Sequence, residues 1–138
     1  MIAKDIIHDA VKNALIKDGW TITDDPFTIR YRDATLFADL AAERTIAAEK
    51  AGRKIVVEIK SFLSRSPMQD LKIALGQYQL YVPLLKKLAL EHKLYIAISD
   101  TAYSEVFQRP SIQLVVQEYE LPLIVVNIET EEIKAWIN

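Results

Sequence analysis

The runs "IVV" at 55–57, "LYIAIS" at 94–99 and "LPLIVVNIE" at 121–129 constrain this chain more than any other feature. A strand with one wet face alternates apolar and polar residues, whereas a strand covered on both faces reads as a nearly continuous apolar run. The chain therefore needs a sheet and cover for both of its sides. Residues 3 to 18 supply one cover, because Ile6, Ile7, Ala10, Val11, Ala14 and Leu15 recur at helical spacing. Gly19 suits the residue that ends such a helix. Ser66-Pro67 predicts a second helix start, with Ser as N-cap and Pro at the first helical position. Met68, Leu71, Ala74, Leu75, Tyr78, Tyr81, Leu84, Leu85 and Leu88 form its apolar side, and Pro83 is expected to kink or split it.

The remaining segments fill in the sheet. "WTIT" and "FTIRY" read as strands about a turn at Asp24, Asp25 and Pro26. "TLFADLAAE" reads as extended and so does "RTIAAEK", with a turn at Ala51-Gly52 before "RKIVVEIKSF". Short helical pieces are expected at 101–107 and 111–118, and "EIKAWIN" as a final strand after a turn at Glu129 to Glu131. Helix, strands, long helix, strand, short helices and two strands give an α/β fold, a central mixed sheet flanked by helices. The 138 residues suit one domain spanning 1–138.

Composition removes several function classes. Only Gly19, Gly52 and Gly76 are present, so neither a phosphate-binding loop nor a dinucleotide fingerprint can be built. With no cysteine there are no disulfides, thiolate metal sites or cysteine nucleophiles, which agrees with a cytoplasmic location. No apolar run reaches membrane-spanning length. The N-terminus carries Asp5 and Asp9, unlike a signal peptide. A formal net charge of −2 argues against coating nucleic acid by bulk electrostatics. It still allows basic groups around an acidic site whose charge a divalent cation reverses.

The charged pair inside "KIVVEIKSF" is the chemical signal. Acid-x-Lys occurs four times, at Glu58, Asp70, Glu91 and Glu132. Asp70 opens a helix, Glu91 sits at a junction and Glu132 lies in an edge strand, so only Glu58 and Lys60 follow a core-like run. Residues two apart in a strand share a face, so Glu58 and Lys60 project together. Asp39, in the apolar stretch "LFADL", offers a second carboxylate from a neighbouring strand. Two carboxylates suit Mg²⁺, or Mn²⁺ in its place, because hard cations prefer oxygen ligands. Lys60 would then orient or deprotonate a water and offset phosphate charge. Gln77 and Tyr81, one helical turn apart, would grip a phosphate or brace that lysine. His8 is the histidine placed to join them, with Asp5 to hold its ring and Asp9 as a further acid. Lys50, Arg53, Lys54 and Arg65 flank the motif strand as candidate DNA-phosphate contacts.

His8, Asp39, Glu58-x-Lys60 and Gln77-xxx-Tyr81, in that order, resemble the PD-(D/E)XK nuclease superfamily in its RecB-like form. Ala38 stands where that motif often has proline. Over nearly the whole chain, "AKDIIHDAVKNALIKDGWTIT", "AGRKIVVEIKSF", "ALGQYQLY" and "ETEEIKAWI" are similar to the XisH family of cyanobacteria. That resemblance implies a restriction-endonuclease-like fold and a role in excision of the fdxN DNA element during heterocyst differentiation. It also implies DNA, an XisI-like partner and a site-specific recombinase as associates. With the superfamily motif, it implies metal ligation by Asp39, Glu58 and the main-chain carbonyl of Ile59.

Each candidate also has a plainer reading. Glu58 and Lys60 would be an exposed strand pair, a weak surface salt bridge. Asp39 would be a strand-end acid, Gln77 a solvated helix residue, Tyr81 a core residue and His8 a helix-flank residue. The four basic residues would be a solvated hairpin tip. Function therefore divides between a Mg²⁺-dependent endonuclease and a non-catalytic accessory factor on the same scaffold. A third possibility is an interaction module acting through an exposed Trp136, as a homodimer or with a partner.

Overall fold

The computed structural model describes residues 2–44, 52–88 and 91–138. In chain order the elements are α1 (Ile2–Lys17), β1 (Thr21–Asp24), β2 (Phe27–Tyr31), β3 (Ala34–Ala38), β4 (Leu40–Arg44) and β5 (Arg53–Ile59). There follow α2 (Pro67–Lys87), β6 (His92–Ser99), α3 (Asp100–Glu105), α4 (Pro110–Glu118), β7 (Leu123–Asn127) and β8 (Glu132–Ile137). Six strands form one mixed sheet in the order β1-β4-β5-β6-β7-β8, and β2 and β3 form a separate hairpin. The β5–β6 and β6–β7 pairs are parallel, and the other pairs are antiparallel. The expected mixed sheet flanked by helices is therefore the architecture found.

The apolar runs sort by parity. Ile55 and Val57 of β5, with Leu40, Ala42, Ala97, Ile124 and Val126, pack against Val11, Ala14 and Leu15 of α1. On the other face, Val56, Ala41 and Leu94 meet Tyr81 and Leu85 of α2 and Ile29 of the hairpin. Ile96, Ile98, Leu123 and Val125 meet Ala74, Phe107 and Ile112 on that same face. Continuous apolar runs arise because both faces of each central strand are dry.

The helix signals act as read. Gly19 takes a φ of +96°, and the Trp20 N–H reaches back to the Leu15 carbonyl at 3.0 Å, closing α1. The Ser66 hydroxyl accepts the Gln69 N–H at 3.2 Å at the start of α2.

One expectation narrows and one changes. Of the kink or split expected at Pro83, the split does not occur, and α2 runs unbroken from Pro67 to Lys87. Pro83 and Gln79 are both exposed, so water can satisfy the Gln79 carbonyl that a proline cannot. Asp39 does not lie within a strand. It stands between β3 and β4, where the chain passes from the hairpin to the main sheet. The stretch 45–50 expected as extended, and Ala51 of the expected turn, lie outside the described residues.

Candidate active site

The site forms where β5 leaves the sheet. Val56 faces the α2 side, and strand alternation puts Glu58 and Lys60 on the same side. Glu58 is 6 % exposed and is the one buried charged residue among those described. The Lys60 Nζ lies 3.1 Å from Glu58 Oε2. Glu58 Oε1 is buried and has no hydrogen-bond partner among the described residues. Burial raises the Glu58 carboxyl above its ordinary value, and the charge of Asp39 raises it further; Lys60 opposes both.

Asp39 reaches this point through register. Leu40 pairs with Val57, so one step back along β4 brings Asp39 opposite Glu58. Its Oδ2 accepts the Ile59 N–H at 2.7 Å. That bond takes the place of a missing ladder partner just before β4 begins. It also explains the break after Ala38, since the carboxylate, not the next strand residue, carries the pairing on.

Tyr81 lies beneath the two acids, 5 % exposed, and donates its hydroxyl to the Phe37 carbonyl at 3.1 Å. Its phenol is raised above the ordinary range by burial first, then by Glu58 and Asp39. Phe37 is two residues before Asp39, so the Tyr81 hydroxyl ties α2 to the segment that carries this acid. Tyr81→Phe should cost about 1–2 kcal/mol in urea unfolding, because the partly buried carbonyl loses its donor. Gln77, one turn earlier on α2, has a buried Oε1 without a partner.

The hydrogen bond of His8 goes to Asp25 and not to Glu58 or Lys60. Its Nε2 lies 3.0 Å from Asp25 Oδ1, while Lys12 Nζ lies 2.9 Å from Asp25 Oδ2. The Lys12 hydrogen bond is the main reason the Asp25 carboxyl is held below its ordinary value. Asp24 pairs with Ala41 and Phe27 with Ala38, so Asp25 stands beside the Asp39–Leu40 link. His8 is therefore linked to the β1–β2 turn that runs beside Asp39. The sequence reading took Asp25 only as a turn residue; the signal available was a second acid directly before proline.

The basic candidates disperse. Arg53 and Lys54 open β5, at the opposite end of the strand from Glu58. Alternation sends Arg53 to the α1 face with Ile55, and Lys54 to the α2 face with Val56. Arg65 is exposed in the loop between β5 and α2, at the same end as the acids, and Asp9 is exposed on α1. Lys50 and the side chain of Asp5 lie outside the described parts of the structure.

The donors fit a small divalent cation. Among the described residues no three His, Cys, Asp or Glu side chains gather as a metal cage. Mg²⁺ does not require one, since it is held by one or two carboxylates and keeps waters for the rest. Two opposed carboxylates and an unpartnered buried Glu58 oxygen match that demand.

A family model described as XisH protein matches residues 1–134. No curated protein matches the chain. Two crystal structures share its fold. An XisH family protein from Nostoc punctiforme is 38 % identical, with a TM-score of 0.87 over 97 % of this chain and 100 % of that one. An fdxN element excision controlling factor protein from Anabaena variabilis is 39 % identical, with a TM-score of 0.85 over 97 % of this chain and 99 % of that one.

Proposed function

Because the chain belongs to the XisH family, we propose that it is a Mg²⁺-dependent DNA endonuclease of PD-(D/E)XK type, acting in the control of DNA element excision. The observation that carries this reading is Glu58, a buried carboxylate opposed by a second acid, paired through one oxygen and bare at the other. Burying such a group is costly unless a cation completes it. The excision role rests on the likeness to the Anabaena variabilis protein.

In this reading Asp39, Glu58 and the Ile59 carbonyl hold Mg²⁺ or Mn²⁺. The cation supplies charge to the scissile phosphate and acidifies water. Lys60, held by Glu58, places an ammonium group beside the acids, where it orients the attacking water and balances the phosphate charge. Tyr81 keeps the Asp39 segment in register with β5. Gln77 offers its amide to a phosphate oxygen or a water at the edge of the site.

Lys60→Ala should lower Mg²⁺- or Mn²⁺-dependent nicking of plasmid DNA by about 10²-fold or more, the usual worth of a positioned proton-transfer group. Cleavage by this variant at the wild-type rate would remove Lys60 from the site.

The accessory-factor reading is favoured by a different observation. Phe37, Leu63, Ile73 and Leu80 are exposed large apolar side chains. They come from the same segments that deliver Asp39, Lys60, Gln77 and Tyr81. An apolar rim suits cover by a protein such as an XisI-like partner or a recombinase. Normal element excision in cells carrying Lys60→Ala would favour this reading over cleavage.

A further inference from the structure

A second concave region lies at the other end of the sheet, on the α1 face. It is a cleft of about 710 Å³ bordered by Trp20, Arg44, Arg53, Tyr95 and Trp136, with Lys93, Asp18 and Glu91 on its margin. Its volume is that of a ligand site. Arg53, on the α1 face, and Glu58, on the α2 face, are five residues apart along β5, so the cleft and the acid pair are separated by roughly 17 Å of strand and open on opposite faces. The cleft therefore does not belong to the site described above.

Three aromatic rings make one wall. The Trp136 centroid is 5.6 Å from that of Trp20 and 5.1 Å from that of Tyr95, the latter edge-on at 80°. Trp20 is 7 % exposed, while Trp136 is 37 % exposed. The Trp136 indole is thus held by two neighbours and keeps open surface towards the cleft. Cations line the rest. Arg44 is held by Asp18 at 3.5 Å, and the Lys93 amine sits 5.0 Å from the Tyr95 ring. Arg53 is exposed on the same face. A flat exposed indole beside guanidinium and ammonium groups is the chemistry that recognises a nucleobase carrying its phosphate.

We propose that this cleft binds a nucleobase with its phosphate, the base stacking on Trp136 and the phosphate meeting Arg53 and Arg44. The ligand is either a free nucleotide or an unpaired stretch of a nucleic-acid strand. Site and occupant are independent of cleavage, so the proposal stands or falls separately from the endonuclease reading.

The chain has two tryptophans, and both lie in this cleft, so intrinsic fluorescence reports on it directly. The full chain is titrated in EDTA, where no cleavage occurs, with a single-stranded oligothymidylate, the matching duplex and thymidine monophosphate. Saturable quenching by the oligomer alone assigns a strand, and equal quenching by the monophosphate assigns a free nucleotide. With a labelled oligomer and anisotropy detection, Trp136→Ala should weaken binding about ten-fold or more. Trp136 also packs on Trp20 and Tyr95, so circular dichroism must show that this variant is folded. Arg53→Gln, at an exposed position, keeps the test independent of folding; it should weaken binding and lower the salt dependence by about one counterion. Absence of saturable quenching by every probe, or oligomer binding unchanged in both variants, overturns the proposal. So does a dimer, seen by light scattering, that Trp136→Ala dissociates while no probe binds.

Discussion

Glu58→Gln should make the metal-free protein more stable at pH 7 and abolish the response of its melting temperature to Mg²⁺. Glu58 is buried, faces Asp39 and leaves Oε1 without a partner. A glutamine of nearly the same shape removes the charge while its carbonyl can still accept from Lys60. Removing a buried charge that a like charge opposes outweighs the loss of the ion pair with Lys60 by about 1 kcal/mol, roughly 3–5 °C in a chain of this length. The gain depends on pH with a definite sign. The folded Glu58 carboxyl is raised above 4.5 by burial first and by Asp39 second. Its protonated form is thus favoured in the fold, and its stabilising contribution is complete below pH 4.5 and lost as pH rises through the folded value. The advantage of glutamine, which does not titrate, therefore grows with rising pH and vanishes below pH 4.5. Saturating Mg²⁺ should raise the melting temperature of the wild-type protein and leave the variant unmoved. Calorimetric scans at pH 4 and pH 7, each with Mg²⁺ and with EDTA, test the whole pattern. A wild-type protein indifferent to Mg²⁺ at pH 7 would contradict the metal site.

Asp39→Asn and Asp39→Ala should part company. Asparagine keeps a side-chain oxygen for the Ile59 N–H, which now donates to Asp39 Oδ2 at 2.7 Å. Alanine strands that N–H at the end of β5, at a cost of about 1–3 kcal/mol. Both variants lose a carboxylate opposite Glu58, and both should cut DNA at least about 10²-fold more slowly than wild type. Only the alanine variant should unfold at lower urea. The asparagine variant should even escape some of the repulsion that now raises Glu58. Urea midpoints and nicking rates of the two purified variants decide the matter. Full activity in Asp39→Asn would leave this residue a purely structural role.

Much of the fold was legible because both central faces are dry. "IVV", "LYIAIS" and "LPLIVVNIE" could only be covered strands, and Gly19 and Ser66-Pro67 marked helix ends by local chemistry alone. What was not legible depended on where water can reach. Pro83 does not split its helix, which runs on because its solvent face tolerates a lost hydrogen bond. The pair Glu58 and Lys60 was legible from strand alternation, and its meeting with Asp39 followed from register. The break at Asp39 was hidden, because an apolar run gives no sign that a side chain will replace a strand in the ladder. His8 was legible as a residue of interest, but its partner was not. Asp25 is seventeen positions away in sequence, brought close by a crossing between two sheets. The spread of Arg53 and Lys54 to opposite faces was implicit in the two-residue period and was overlooked, because charges close in sequence read as one patch.

The bond from the Ile59 amide to the Asp39 carboxylate also bears on regulation. An acid that terminates a hydrogen-bonded ladder cannot swing aside without stranding the last amide of β5 at the edge of the site. If the proposed site is right, this bond holds Asp39 in one place with or without a ligand. Control of such a site would then act through what reaches its rim, not through movement of this acid. Amide exchange at Ile59 would then be slow in every functional state of the protein, including any complex in which the chemistry is switched off.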